Sequence, residues 1–381
     1  MPAASLYLDH NATTPPDPEV IAAMDAAWRE AYGNPGSRHA AGRRARRALE
    51  DARELVAGIL GARPAEVIFT SGGTESNNTA LFGYTQGAPA AIAIPAGEHP
   101  SIEMAVRRRE AQGWQRVSLP LDQHGLVQTG KLSSLDWSQL RVVTLLLAHN
   151  ETGVIQPVSE LAELCLSNRV PLHLDAVQAV GKIDVNFQDL RATSLSLGAH
   201  KFHGPRGIGA LLLREHTRLP SLLSGGHQER EHRAGTEPVA LAVGLAKALE
   251  IWHKDRARIR VHLTQLRDRL ESQLVATCSP VIVHGAGADR LPNTLNIGFV
   301  GCDGEALLVA LDLAGVCCSM GSACASGSSE PAPILLGMGC SRELALSSLR
   351  FSVGRENTLA EIDEAAQRIA GVVGRMRTRK V

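Results

Sequence analysis

A lysine follows a β-rich apolar run and precedes a Gly-Pro turn in Ser196-Leu197-Gly198-Ala199-His200-Lys201-Phe202-His203-Gly204-Pro205. An ammonium is costly to desolvate, so lysines at such places are uncommon unless they are exposed. Held at a strand end, Lys201 can lose its proton and serve as a Schiff-base amine; an exposed loop lysine is the ordinary alternative. Upstream, His173-Leu174-Asp175-Ala176-Val177-Gln178 ends another strand-like run. There Asp175 can pair with a protonated ring nitrogen, and Gln178 can reach a neighbouring ring oxygen. His99, after Ala96-Gly97-Glu98, can stack on a ring. A lone Asp or His of this kind is more often structural.

The stretch Val67-Ile68-Phe69-Thr70-Ser71-Gly72-Gly73-Thr74 reads as strand, glycine turn and helix start. Backbone N–H groups at a helix start favour an anion, and Thr74 adds a hydroxyl. A tight turn without ligand fits this segment as well, and no Gly-Lys-Ser/Thr follows to make a P-loop. Cys324 lies between Gly321-Ser322-Ala323 and Ala325-Ser326-Gly327-Ser328-Ser329, with little around it to pack against. These small neighbours predict an exposed, mobile nucleophile that travels to its substrate. Cys317 and Cys318, after Leu313-Ala314-Gly315-Val316, read as core strand residues. Arg350, in Leu349-Arg350-Phe351, sits on a strand. Together these residues point to pyridoxal phosphate chemistry on a sulfur substrate.

The elements that must position them alternate between strand and helix. Strands are predicted over 66–70, 91–95, 142–148, 171–175, 194–197 and 209–213, with helices over 74–84, 101–111 and 159–167. Near-continuous apolar runs of this kind fit a mainly parallel sheet covered by helices on both faces. A long helix over 240–274 follows and can bridge two domains. Beyond it come β-like runs at 280–284 and 294–300, a helix from the N-cap Asp303 to Leu313, and a capping box at Thr358-Leu359-Ala360-Glu361. At 381 residues the chain is longer than one compact core usually holds.

Formal net charge is zero, which argues against a broad footprint for nucleic acid or anionic membrane. The run Arg43-Arg44-Ala45-Arg46-Arg47 is expected to be a solvated helix face. No apolar run reaches the roughly 20 residues of a membrane span, and the N-terminal segment has no leader pattern. Seven cysteines without a Cys-x-x-Cys pair indicate neither a disulfide framework nor a zinc or other metal site. A cytoplasmic location is expected.

In order along the chain, these segments resemble the cysteine desulfurases of the NifS/IscS family, within the class V aminotransferase group. The matches are 7–15 (Tyr-Leu-Asp-His-Asn-Ala-Thr-Thr-Pro), Gly33-Asn34-Pro35, 70–77, Glu98-His99, Asn150-Glu151-Thr152-Gly153, 175–181, His200-Lys201, Gly235-Thr236-Glu237, 321–324 and Arg350-Phe351-Ser352. The resemblance implies an α/β, pyridoxal-phosphate-dependent transferase (aspartate-aminotransferase) fold and a homodimer. Residues 15–250 would form the large cofactor domain; 1–14 and 251–381 would form the small domain carrying the cysteine loop. It implies Lys201 as the Schiff-base lysine, Asp175 on the pyridine nitrogen and Gln178 on the phenolic oxygen. His99 would stack on the ring as a catalytic residue, with Asn150 beside it. Gly73, Thr74 and His200 would hold the phosphate, joined by Thr236 of the other subunit. Arg350 and Asn11 would serve the substrate, and Cys324 would accept its sulfur.

On this reading L-cysteine becomes L-alanine and sulfur stays on Cys324 as persulfide, for delivery to an acceptor protein such as one of iron–sulfur cluster assembly. A pyridoxal phosphate-dependent selenocysteine or cystine lyase is the alternative; it would not require Cys324. An inactive scaffold would not require Lys201, Asp175 and Arg350 together. Two positions depart from the family pattern. Gly198 stands where members often carry a serine hydroxyl, and Met320 where serine is common.

Overall fold

The computed structural model describes residues 5–320 and 330–378, so Cys324 and its flanking residues lie outside the described residues. The strands, in chain order, are β1 (Leu6–Tyr7), β2 (Val67–Thr70), β3 (Ala91–Pro95), β4 (Gln115–Leu119), β5 (Leu140–Leu146), β6 (Leu172–Asp175), β7 (Ser194–Gly198), β8 (Gly209–Leu213), β9 (Val281–Val283), β10 (Thr294–Phe299), β11 (Val316–Cys317) and β12 (Ser348–Ser352). Seven of them form one sheet in the order β2-β8-β7-β6-β5-β3-β4. Its pairs from β7 to β4 are parallel, and β8 runs against both its neighbours. The mainly parallel sheet expected from the apolar runs is therefore present.

Successive residues of a strand point to opposite faces, and here both faces are covered. Ala91 and Ala93 of β3 join a core with Leu49 and Val56 of helix Ala40–Leu60 and Leu245 and Leu249 of helix Val239–Thr277. Ile92 and Ile94 face the other way, onto Ile102 and Val106 of helix Pro100–Glu110. Leu211 and Leu213 of β8 likewise meet Ala80 of helix Gly73–Tyr84. Full burial on both sides explains why these strands read as unbroken apolar runs.

A second apolar core joins Leu6 and Leu8 to Leu295, Ile297, Phe299, Leu349, Phe351, Ile362 and Ile369. It packs on the antiparallel sheet β12-β10-β9. The helix Val239–Thr277 serves both cores: Leu245 and Leu249 lie in the first, Leu266, Leu270 and Leu274 in the second. The N-terminal strip enters the second core's sheets, with β1 parallel to β11 and Asp9 bridging Ser352.

The caps expected from sequence are in place. Asp303 Oδ1 accepts from Ala306 N at 2.8 Å. Thr358 N donates to Glu361 Oε2 at 2.7 Å, and Glu361 N to Thr358 Oγ1 at 3.2 Å. Arg43, Arg44, Arg46 and Arg47 are exposed on their helix. Cys317 and Cys318 depart from the core reading. Cys317 closes a two-residue strand and Cys318 follows it, and both are half-buried because this strand lies at the edge of the second core. Burial still pushes the Cys318 thiol up to about 12. Among the described residues no helix is long and apolar enough to cross a membrane.

Candidate active site

Ligands of open α/β sheets bind beyond the carboxyl ends of the parallel strands. Five strands here deliver their next residues to that edge. β2 leads to Gly73 and Thr74, β3 to His99, β5 to Asn150, and β7 to His200 and Lys201, while β6 ends on Asp175 itself. One cavity of about 180 Å³ is lined by Asp9, Asn11, His99, Asn150, Asp175, Gln178, Lys201 and Arg350, among others. Most of the residues picked out from sequence thus meet in a single space, although they come from segments more than 300 positions apart.

Asp175 is buried and both its oxygens are held: Oδ1 accepts from Val177 N at 3.0 Å, Oδ2 from Asn77 Nδ2 at 2.6 Å. Asn77 Oδ1 in turn accepts from His173 Nε2 at 3.0 Å, and His173 Nδ1 lies 2.9 Å from Ser194 Oγ. Burial pushes His173 down to about 3, so this ring is neutral. The carboxylate is thereby aimed by a chain of uncharged groups.

His99 is the N-cap of helix Pro100–Glu110, and its Nδ1 accepts from Ser101 N at 3.1 Å. The hydrogen therefore sits on Nε2. Burial lowers the His99 pKa; Asp175 pulls the other way and Lys201 adds to the lowering. Glu98, the residue before His99, lies in the same matched segment but has no role assigned from sequence. Its Oε1 accepts from Leu146 N at 2.8 Å and its Oε2 has no partner among the described residues; burial raises the carboxyl to about 8.

Lys201 occupies the turn after β7 and is half-buried. Its Nζ donates to the carbonyl oxygens of Asn11 at 2.7 Å and Ala12 at 2.8 Å. Arg350 Nη2 donates to Asp9 Oδ1 at 2.7 Å, and Nη1 to Glu151 Oε1 at 3.1 Å and the Asn150 carbonyl at 3.2 Å. Burial raises the Glu151 carboxyl, which Arg350 opposes. Neither acid was assigned a role from sequence; each lies in a matched motif, but nothing local tells that it faces Arg350.

Gly73 begins its helix behind Gly72, which has no side chain to cap the first N–H groups. A Cβ on Gly73 would stand 2.5 Å from Val177 Cγ2, so a side chain there would have to displace Val177. Thr74 lines an adjoining groove with His99 and Ser101. His200 Nδ1 lies 3.2 Å from Thr13 Oγ1, and burial, with Lys201 and Arg206 adding, pushes it down to about 4. Thr236 is exposed and is not among the residues lining the cavity. Cys324 lies outside the described residues.

The donor set suits pyridoxal phosphate. A carboxylate, an amine, a side-chain amide and an imidazole with its outer nitrogen protonated share one cavity, beside an uncapped glycine helix start fit for a phosphate. Nothing local in the sequence marks Lys182. It is buried behind Gln178, and burial holds its pKa well below the usual lysine range, with Lys201 and Arg350 adding to the effect.

A family model described as "Aminotransferase class-V" matches residues 6–365. A cysteine desulfurase of Trichormus azollae is 42% identical over 376 residues, 98% of this chain and 94% of that protein. The cysteine desulfurase IscS of Dictyoglomus turgidum is 39% identical over 378 residues, 98% of this chain and 95% of the relative. The solved structure of a NifS-like protein superposes with a TM-score of 0.90 at 32% identity, covering 97% of this chain and 99% of that one.

Proposed function

We infer, from the premise that this chain belongs to the class V aminotransferases and within them to the cysteine desulfurases, how its own residues carry out that activity. The enzyme is a pyridoxal phosphate-dependent cysteine desulfurase. The observation that carries the residue assignment is the convergence of Lys201, Asp175, Gln178, His99 and Arg350 on one cavity.

When bound, pyridoxal phosphate supplies an electron sink for the pair released as the substrate loses its Cα proton. Asp175, fixed by Asn77 and Val177 N, would face the ring nitrogen, and Gln178 the phenolic oxygen. His99 would lie on the ring with Nε2–H outward, beside Asn150. Gly73, Thr74 and His200 would hold the phosphate. Thr236, exposed and away from this cavity, fits a role in the partner's site of a homodimer. Lys201 would hold the cofactor and then take the Cα proton onto Nζ. Arg350 would bind the cysteine carboxylate through its planar fork, the substrate replacing Asp9 while Glu151 and Asn11 steady the pocket.

Cys324 thiolate would then attack the substrate sulfur. An S–S bond forms as the C–S bond breaks and the C–S pair stays with Cβ, which takes a proton; return of the proton from Lys201 Nζ to Cα completes L-alanine. The persulfide would pass to an acceptor protein, such as one of iron–sulfur cluster assembly, in the cytoplasm. The two apolar cores support division into a large domain, 15–250, and a small one, 1–14 with 251–381. Peptide mass spectrometry after incubation with L-cysteine tests the sulfur step. Added sulfur is expected on Cys324, with alanine formed; sulfur on Cys317 or Cys318 instead overturns the choice of acceptor.

A further inference from the structure

Lys182 makes no contact with the cavity lined by Lys201 and Asp175, yet it is 4% exposed and sits directly behind a residue that does line it. Its Nζ donates to Gln178 Oε1 and, at 2.7 Å, to Asn11 Oδ1. We propose that Lys182 is a positioning residue that turns the Gln178 amide so that its N–H, not its carbonyl, faces the cofactor's phenolic oxygen. The proposal rests on the pyridoxal phosphate reading of the cavity.

Amide orientation is normally an assignment made from the surrounding hydrogen bonds. Here the chain of partners fixes it from a group that can only accept. The Asn150 carbonyl takes a hydrogen bond from Asn11 Nδ2 at 3.1 Å, and Thr294 Oγ1 takes another at 2.9 Å. Asn11 Oδ1 therefore points the other way, to Lys182 Nζ and to Asn293 Nδ2 at 3.0 Å. The Lys182 amine, donating to Asn11, donates again to Gln178 Oε1. Gln178 Nε2 then lies on the far side of its amide, with one hydrogen on the Asn11 carbonyl at 2.9 Å and a second left over. Reversing Gln178 would set Nε2 against the lysine and a carbonyl dipole against an anionic oxygen. Asn11 is the hub: its carbonyl also accepts from Lys201 Nζ at 2.7 Å, so one residue holds the amide and the reactive amine in register.

Packing alone does not call for a lysine here. Among the described residues no carboxylate pairs with it, and its charged neighbours Lys201 and Arg350 repel it. An apolar side chain of similar length would fill the space without that cost. What an apolar side chain cannot do is donate to two carbonyl oxygens at once.

A double-mutant cycle on cofactor release tests this. Pyridoxal phosphate loss on dialysis is followed by visible absorbance for wild type, Lys182→Met, Gln178→Leu and the pair, with the unfolding temperature of each cofactor-free protein recorded alongside. A hydrogen bond to a charged group lost from the site predicts roughly tenfold faster release for each single variant. The pair should release no faster than Gln178→Leu alone, because Lys182 acts through that amide. Multiplied effects, roughly a hundredfold in the pair, overturn the proposal. Gln178→Glu covers the case in which Lys182→Met does not fold: it keeps an acceptor for Lys182 but cannot donate to the phenolic oxygen. It should release cofactor at least as fast as Gln178→Leu, and release at the wild-type rate overturns the proposal. Wild-type protein that takes up no pyridoxal phosphate at all would remove the reading of the cavity itself, a result distinct from either of these.

Discussion

Arg53 and Lys182 are both buried cations, and the fold treats them differently. Arg53 is 2% exposed and meets Glu229 in a fork, Nη1 to Oε2 and Nη2 to Oε1, each at 2.8 Å. Its Nε reaches Glu50 at 3.0 Å, Nη1 reaches the Val67 carbonyl at 2.6 Å, and the guanidinium lies 4.9 Å from the Phe69 ring centroid. Burial pulls its pKa down, yet Glu229 and Glu50 outweigh that and raise it. Lys182 meets two amide oxygens and its pKa falls. The first cation is neutralised and anchors the chain. The second has no carboxylate partner among the described residues and holds other polar groups in one orientation. Burial does not separate the two roles; the class of partner does.

The Arg53 anchor has a visible task. Glu229, Arg230 and Glu231 have φ of +47°, +55° and +70°, a left-handed run of residues that disfavour it. Glu229 Oε2 also accepts from Phe69 N at 3.0 Å, which ties this strained turn to β2. Thr236 follows a few residues later in the chain.

The largest expected effect lies on the catalytic side of this contrast. Lys201 donates to backbone carbonyl oxygens, as Lys182 does to side-chain amide oxygens, instead of anchoring an element. Lys201→Ala should lower alanine formation from cysteine by roughly 10⁴-fold, the upper end for a positioned proton-transfer group, and abolish borohydride-reducible attachment of the cofactor. Its unfolding free energy should change by less than about 1 kcal/mol. Alanine production at the wild-type rate would take Lys201 out of its role. A large loss of stability would instead place it with Arg53.

Arg53→Met is the converse test. Removing one partner of a buried pair leaves Glu229 without its cation, which costs about 3–5 kcal/mol. Chemical denaturation of the cofactor-free protein should show that loss, and Arg53→Met with Glu229→Leu should recover part of it. Steady-state kinetics on the protein still folded should keep KM for cysteine near wild type. A destabilisation below about 1 kcal/mol would erase the contrast between the two cations.

The same contrast explains what could be read from sequence. β3 and β8 were legible to the residue, and the helix from Asp303 nearly so, because local patterns specify them: apolar runs between breakers, and a capping aspartate. β4, Gln-Arg-Val-Ser-Leu, escaped because an edge strand with exposed and half-exposed positions carries no such run. Lys201, Asp175 and His99 were legible because each ends or follows a strand. The role of Lys182 was not, since its partner Asn11 lies 171 positions away. Nor was the pairing of Arg350 with Asp9 and Glu151, or the left-handed turn at Glu229, where a tertiary ion pair replaces the usual glycine. Local chemistry announces elements and their ends; which cation meets which oxygen is settled by long-range contact.

The smallest expected effect adds a donor where the others remove one. Gly198 brings no side chain to the site, and its φ of −138° and ψ of 123° lie in the extended region open to any residue. A Cβ there would rest 3.5 Å from Gly73 N and 3.8 Å from both His200 Cδ2 and Val177 Cγ1, ordinary contact distances. Serine can therefore be installed without strain, beside the helix start proposed to hold the phosphate. A hydrogen bond to a charged group contributes about 1.5–3 kcal/mol, less what ordering the hydroxyl costs. Gly198→Ser should slow cofactor release by about tenfold and leave turnover of cysteine unchanged. Dialysis of the two holoenzymes side by side measures it. Equal release rates would mean that another group already fills the donor's place. The phosphate end of the site would then differ from the ring end, where, by the Lys182 proposal, one amide depends on a single buried amine.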